Sequence, residues 1–120
     1  MKYTTLVVSI VIITAVLIPG GNLPDVSIGG YDKLVHLGMF LVWALAVQYD
    51  FGTEPVARRV IFLVAGLVFS TVTEVLQIVV EGRSFDVYDM IADMIGLITG
   101  LLIGGPIVRW LKQVLYRTGR

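Results

Sequence analysis

The sequence contains no cysteine, which excludes disulfides, thiolate catalysis and cysteine-based zinc sites. It has one histidine, so the paired histidines of a lipid phosphatase are missing too. Charge is scarce. Asp, Glu, Lys and Arg make up 15% of the 120 residues, against about 25% in a soluble domain. The formal net charge is zero, and no nucleic-acid partner is expected. There is no phosphate-binding glycine loop, no serine-nucleophile motif and no cofactor motif, so no cofactor is expected.

What is abundant is apolar residues, 57% of the chain, with a mean hydropathy of +0.89. They fall into four stretches, residues 3–18, 34–49, 60–80 and 87–108. A membrane-crossing helix takes about 17–25 residues, and the first two stretches are short for it. The expected fold is an all-α, polytopic membrane protein, four helices in a bundle forming one domain over residues 1–120. The first stretch follows Lys2 as a signal peptide would, but ends in Pro19-Gly20-Gly21 without an Ala-x-Ala site, so an uncleaved helix is expected.

The charges are sorted. With both termini placed in the cytoplasm, Lys2, Arg58, Arg59, Arg109, Lys112, Arg117 and Arg120 lie inside, and only Lys33 and Arg83 lie outside. That is the positive-inside pattern. Trp43 does not fit an interfacial belt and reads as a packing residue. The segment after Arg109 is basic and amphipathic, and reads either as a helix end with charged anchors or as a helix lying on an anionic leaflet. Tyr31-Asp32-Lys33-Leu34-Val35-His36 faintly repeats in Tyr88-Asp89-Met90-Ile91-Ala92-Asp93.

Against this background a polar ladder stands out: Glu74, Gln77, Arg83, Asp86, Asp89 and Asp93, running into Gly96, Gly100 and Gly104. A charge in the middle of a membrane helix costs roughly 2.5–3.5 kcal/mol on insertion scales. Helical spacing puts Asp32 and His36 on one face, Ser70, Glu74 and Gln77 on another, and the aspartates and glycines on a third. At 1.5 Å per residue, Glu74 and Asp93 both lie about 9 Å from the outer ends of their helices, with His36 slightly shallower. Asp86 and Asp89 also suit a helix N-terminus. The glycines form a small-xxx-small seam that lets another helix approach closely, either within the chain or between copies in a homo-oligomer.

The combination Asp32-Lys33-x-x-His36, Glu74-x-x-Gln77 and Arg83-x-x-Asp86-x-x-Asp89-x-x-x-Asp93-x-x-Gly96-x-x-x-Gly100 resembles the VanZ-like family, from about residue 18 to residue 104. The resemblance implies a small multi-pass protein of the bacterial cytoplasmic membrane. It also implies a link to glycopeptide resistance, teicoplanin in particular. One position departs from the family, which usually has Asn where this chain has Asp93.

The ligand-binding residues expected are Asp32, Lys33, His36, Glu74, Gln77, Arg83, Asp86, Asp89 and Asp93. Five acids stand against Lys33 and Arg83, so either some carboxyls hold protons or a cation joins them, an ammonium or a hard metal ion. Three readings follow. The first is a binding or handling protein for an envelope lipid or peptidoglycan-related ligand, within the lipid bilayer. The second is a membrane enzyme acting on a lipid-linked phosphate or peptidoglycan precursor, with His36, Glu74 and Asp93 as catalytic candidates. The third is an assembly subunit whose polar residues only lock helices together.

Overall fold

Each apolar stretch folds as a helix in the computed structural model, which describes residues 3–17, 31–52, 55–80 and 87–118. Among the described residues the order is α1 (Thr4–Val16), α2 (Tyr31–Phe51), α3 (Val56–Ile78) and α4 (Val87–Thr118). Three of these, α2 to α4, are long and apolar enough to cross a membrane. At 13 residues, α1 is shorter than the roughly 17 that a crossing takes.

The helices and the apolar stretches differ at their ends, and α2 and α4 outrun theirs. α2 starts at Tyr31 and α3 at Val56 rather than at residues 34 and 60, while α3 ends at Ile78 instead of continuing to residue 80. The cause is physical: hydropathy marks where a helix meets an apolar medium, whereas backbone hydrogen bonding runs on through polar turns such as Arg58-Arg59. The largest difference is in α4, which continues through Pro106 to Thr118 instead of ending near residue 108. Proline withholds one N–H from the helix ladder, and here that does not stop it. The basic segment is thus a direct extension of α4.

The centre of the molecule is the α2–α4 pair, which shares the most extensive helix contact; α1 packs on α2, and α3 on α4. Glycine makes the central contact close. A Cβ on Gly96 would fall 2.0 Å from the carbonyl oxygen of Leu37, and one on Gly100 would fall 2.6 Å from Cβ of Ala44. The seam expected from sequence is therefore filled by α2 of the same chain. Phe40, Trp43, Val47, Leu97 and Leu101 build the core beside it, with Ile12 and Val16 from α1 and Phe62 from α3. Trp43 is buried and donates its Nε1–H to Ser9 Oγ at 3.1 Å.

α1 has no side-chain cap of its own. Asp50, in the last turn of α2, supplies one. Its Oδ2 accepts both the backbone N–H and the hydroxyl of Thr5, each at 2.7 Å. An acid there answers an otherwise orphaned N–H and the positive end of the helix dipole.

The distribution of polarity is inverted relative to a water-soluble protein. The buried face of α3 is Phe62, Gly66, Ser70, Thr73, Glu74 and Gln77. Its exposed face is Val60, Ile61, Val64, Val68, Val72, Val75 and Ile78. A polar stripe turned inward and an apolar one turned outward suit a lipid surrounding, where exposed polar groups are the costly ones.

Candidate functional site

The inward polar stripes of three helices meet at one end of the bundle. His36 comes from α2, Ser70, Thr73, Glu74 and Gln77 from α3, and Asp89 and Asp93 from α4. Glu74 and Asp93 are 0% exposed and His36 is 2% exposed. Thr73 bends its hydroxyl back to the Ser70 carbonyl at 2.8 Å, satisfying itself within α3.

Asp93 is the hub. Ser70 Oγ donates to its Oδ2 at 2.7 Å, and His36 Nδ1 lies 2.8 Å from its Oδ1. With Asp93 ionised, the imidazole donates Nδ1–H and its lone pair is left on Nε2, the tautomer a carboxylate partner selects. Nε2 faces Asp89, whose Oδ2 lies 3.7 Å away. The other oxygen of Asp89 pairs with Lys33 Nζ at 2.9 Å. Glu74 approaches from the third side, its Oε1 3.8 Å from His36 Nδ1. The array therefore runs from Ser70 in the interior, through Asp93, His36 and Asp89, to Lys33, which is 36% exposed. Charged hydrogen bonds of this kind are roughly twice as strong as neutral ones, and burial keeps water from competing with them.

Two chemical uses fit. Ligand atoms of His36, Glu74 and Asp93 lie within 4.8 Å of one another, so a divalent cation replacing the Nδ1 proton can take one atom from each. Alternatively, Asp93 orients His36 and leaves Nε2 to act as a base or hydrogen-bond acceptor.

Of the residues expected from sequence, Lys33, His36, Glu74, Asp89 and Asp93 come together here, and buried Gln77 lies one turn along the same face of α3. Asp89 is a first-turn acid in α4, as expected, and is also a buried partner of Lys33. Arg83, Asp86 and the side chain of Asp32 lie outside the described residues. Sequence reasoning noted Ser70 only as sharing a face and missed Thr73; hydroxyl residues one turn before and directly beside Glu74 were the available signal. It also missed Gln48, fully buried in α2, whose Nε2 donates to the carbonyls of Ala44 and Gly100 at 2.9 Å each. A lone glutamine late in an apolar run was its only mark.

An apolar exterior, helices of spanning length and an ionisable cluster sealed inside define a membrane-type helical protein with a polar centre. More narrowly, the VanZ/LLP1 family model matches residues 4–108, and the chain belongs to that family. No curated protein and no solved structure matches it.

Proposed function

We propose that the chain is a four-span protein of the bacterial cytoplasmic membrane, with both termini cytoplasmic. In this reading its outward-facing site binds or handles an envelope lipid or a peptidoglycan-related ligand. The observation that carries it is the convergence of His36, Glu74 and Asp93 from three helices on one buried point, with Lys33 at its edge. Ionisable groups within a membrane segment are costly and mark ligand or ion pathways. Buried carboxylates favour a ligand bearing an ammonium, a bound cation or several hydrogen-bond donors, and Lys33 adds a contact for an anionic group. α1 crosses with help from its flanks, and the sorted arginines and lysines support the orientation. Family membership supports a role in tolerance to teicoplanin-type glycopeptides. The seam glycines are buried against α2, so association of copies would use another face.

Ligand identification tests the binding reading. Lipids, precursors and metals retained by wild type in native mass spectrometry are expected to be lost from Asp93→Ala and Glu74→Gln; equal retention contradicts it. Orientation is open to single-cysteine labelling, since the chain has no cysteine background. Val80→Cys should react with an impermeant maleimide in intact cells and Thr118→Cys should not.

The Asp93–His36 pair supports a second reading as a membrane enzyme, with His36 Nε2 as general base toward a phosphate- or peptidoglycan-type substrate. Under it, His36→Ala abolishes turnover while ligand retention survives.

A further inference from the structure

Two carboxylates converge on one imidazole nitrogen. Asp93 Oδ1 lies 2.8 Å from His36 Nδ1, and Glu74 Oε1 lies 3.8 Å from the same atom. A single N–H points at only one of them, whereas a cation in place of that proton attracts both. The three groups come from α2, α3 and α4, so no helical repeat forces them together. Their spacing suits a small ion. A tetrahedral site with bonds of about 2.0–2.1 Å sets its ligand atoms about 3.3 Å apart, and the two separations at Nδ1 straddle that value. The surroundings hold each ligand in place. Ser70 Oγ donates to Asp93 Oδ2 at 2.7 Å, which leaves Oδ1 turned to the histidine. On the opposite edge of the ring, Nε2 faces Asp89 Oδ2 at 3.7 Å, and the other oxygen of Asp89 is held by Lys33 at 2.9 Å. With a metal on Nδ1, the ring proton sits on Nε2 and is directed at Asp89. A carboxylate in that place is the usual orienting partner of a ligating histidine.

We propose that His36 Nδ1, Glu74 and Asp93 bind a divalent transition-metal ion of the zinc class, with Asp89 and Ser70 as positioning residues. The donor set chooses the ion. One imidazole nitrogen with two carboxylate oxygens suits zinc, whereas Ca²⁺ takes six to eight oxygens and Mg²⁺ a near-octahedral shell of them. Glu74 and Asp93 carry two negative charges, which match a divalent ion. Three protein ligands leave a fourth position for water or for an oxygen of a bound molecule. The inference deepens the site proposed above, and it rests on that reading only in taking the cluster as a binding site rather than a lock between helices.

The test uses the full chain made without a histidine tag, stripped by a chelator in detergent and given Zn²⁺, Mg²⁺ or Ca²⁺ alone. Bound metal is counted by elemental mass spectrometry and the unfolding midpoint is read alongside. Wild type is expected to hold one Zn²⁺ per chain and to unfold at a higher temperature with it, since an ion that binds the folded state stabilises it. Mg²⁺ and Ca²⁺ at the same concentration should not shift the midpoint. Asp89→Ala should weaken Zn²⁺ binding by about 10–100-fold, the effect of losing an orienting partner, with one ion still bound at saturation. Asp89→Asn, which keeps an acceptor, should recover part of that loss. Glu74→Gln and Asp93→Asn remove a ligand charge while keeping side-chain shape, and each should weaken binding by more than Asp89→Ala does. Asp50→Ala, at the other end of α2, should change nothing. If the Glu74 and Asp93 variants do not fold, the wild-type counts decide. No zinc in wild type, or an equal shift with Mg²⁺, overturns the proposal. So does zinc held equally by wild type and Glu74→Gln, which marks an adventitious ion. Retention of envelope lipids and precursors is measured separately on the same preparations. Retention by a wild-type chain that takes no zinc overturns the metal site and leaves the proposed function standing; zinc bound without any such retention does the reverse.

Discussion

α2 meets α4 in two different ways along one interface. At one end, Lys33 and His36 face Asp89 and Asp93, and the contact is made by charged side chains. At the other, Gly100 lies against Ala44 and the Leu41 carbonyl, almost backbone to backbone, and the Gln48 amide lies on Gly104. The second arrangement makes the first workable. A buried charge pair is favourable only when its geometry is well held, and long side chains alone hold geometry poorly. Gly96, three residues after Asp93, seats against the carbonyl of Leu37, the residue after His36. The glycine contact thereby sets the helix separation at which His36 and Asp93 meet at 2.8 Å. In the polar half, energy lies in hydrogen bonds that a ligand or cation can exchange. In the glycine half it lies in close packing that nothing exchanges.

Substitutions should separate the halves, and the largest effect belongs to the glycine half. Gly96→Leu forces side-chain volume into the Leu37 carbonyl and should cost about 3 kcal/mol of stability, the upper end of overpacking, read by thermal unfolding in detergent. It should also abolish ligand retention, because it moves His36 from Asp93. Next is Asp93→Ala, which strands the Ser70 hydroxyl and His36 Nδ1–H and should cost about 2 kcal/mol. Asp93→Asn keeps an acceptor at the centre and should cost less than half as much. Asp50→Ala removes the cap on α1 and should cost about 1 kcal/mol. The loss should show as faster hydrogen exchange confined to α1. The smallest effect is expected at Gly38, where an added Cβ meets nothing within 4 Å. Gly38→Ala should be neutral or stabilising by up to about 1 kcal/mol through helix propensity. A loss there comparable to that at Gly96 would erase the distinction between seam glycines and others.

The sequence made the helical class readable because apolar runs in this chain coincide with helices. It misjudged where α3 begins, since Arg58-Arg59 are helical without being apolar, whereas the segment after Arg109 is the helix end that one of its two readings expected. The site was readable because Glu74 and Asp93 are conspicuous among Val, Ile and Leu, and because equal depth on separate helices is a one-dimensional property. Which atoms pair is three-dimensional. That Asp93 takes Ser70 on one oxygen and His36 on the other depends on rotation of α3 and α4 about their axes, which spacing alone leaves open. Gln48 shows the same limit: its partner carbonyl on Gly100 exists only because the glycine half lets α2 come so near.

The central claim is that His36 and Asp93 form one coupled unit inside the bundle. A double-mutant cycle with His36→Ala and Asp93→Ala, read as unfolding free energy in a bilayer mimetic, tests it most directly. A coupling of about 1–3 kcal/mol is predicted, the range for residues in one buried hydrogen-bonded network. Additivity within about 0.5 kcal/mol, as for residues that do not touch, would contradict it.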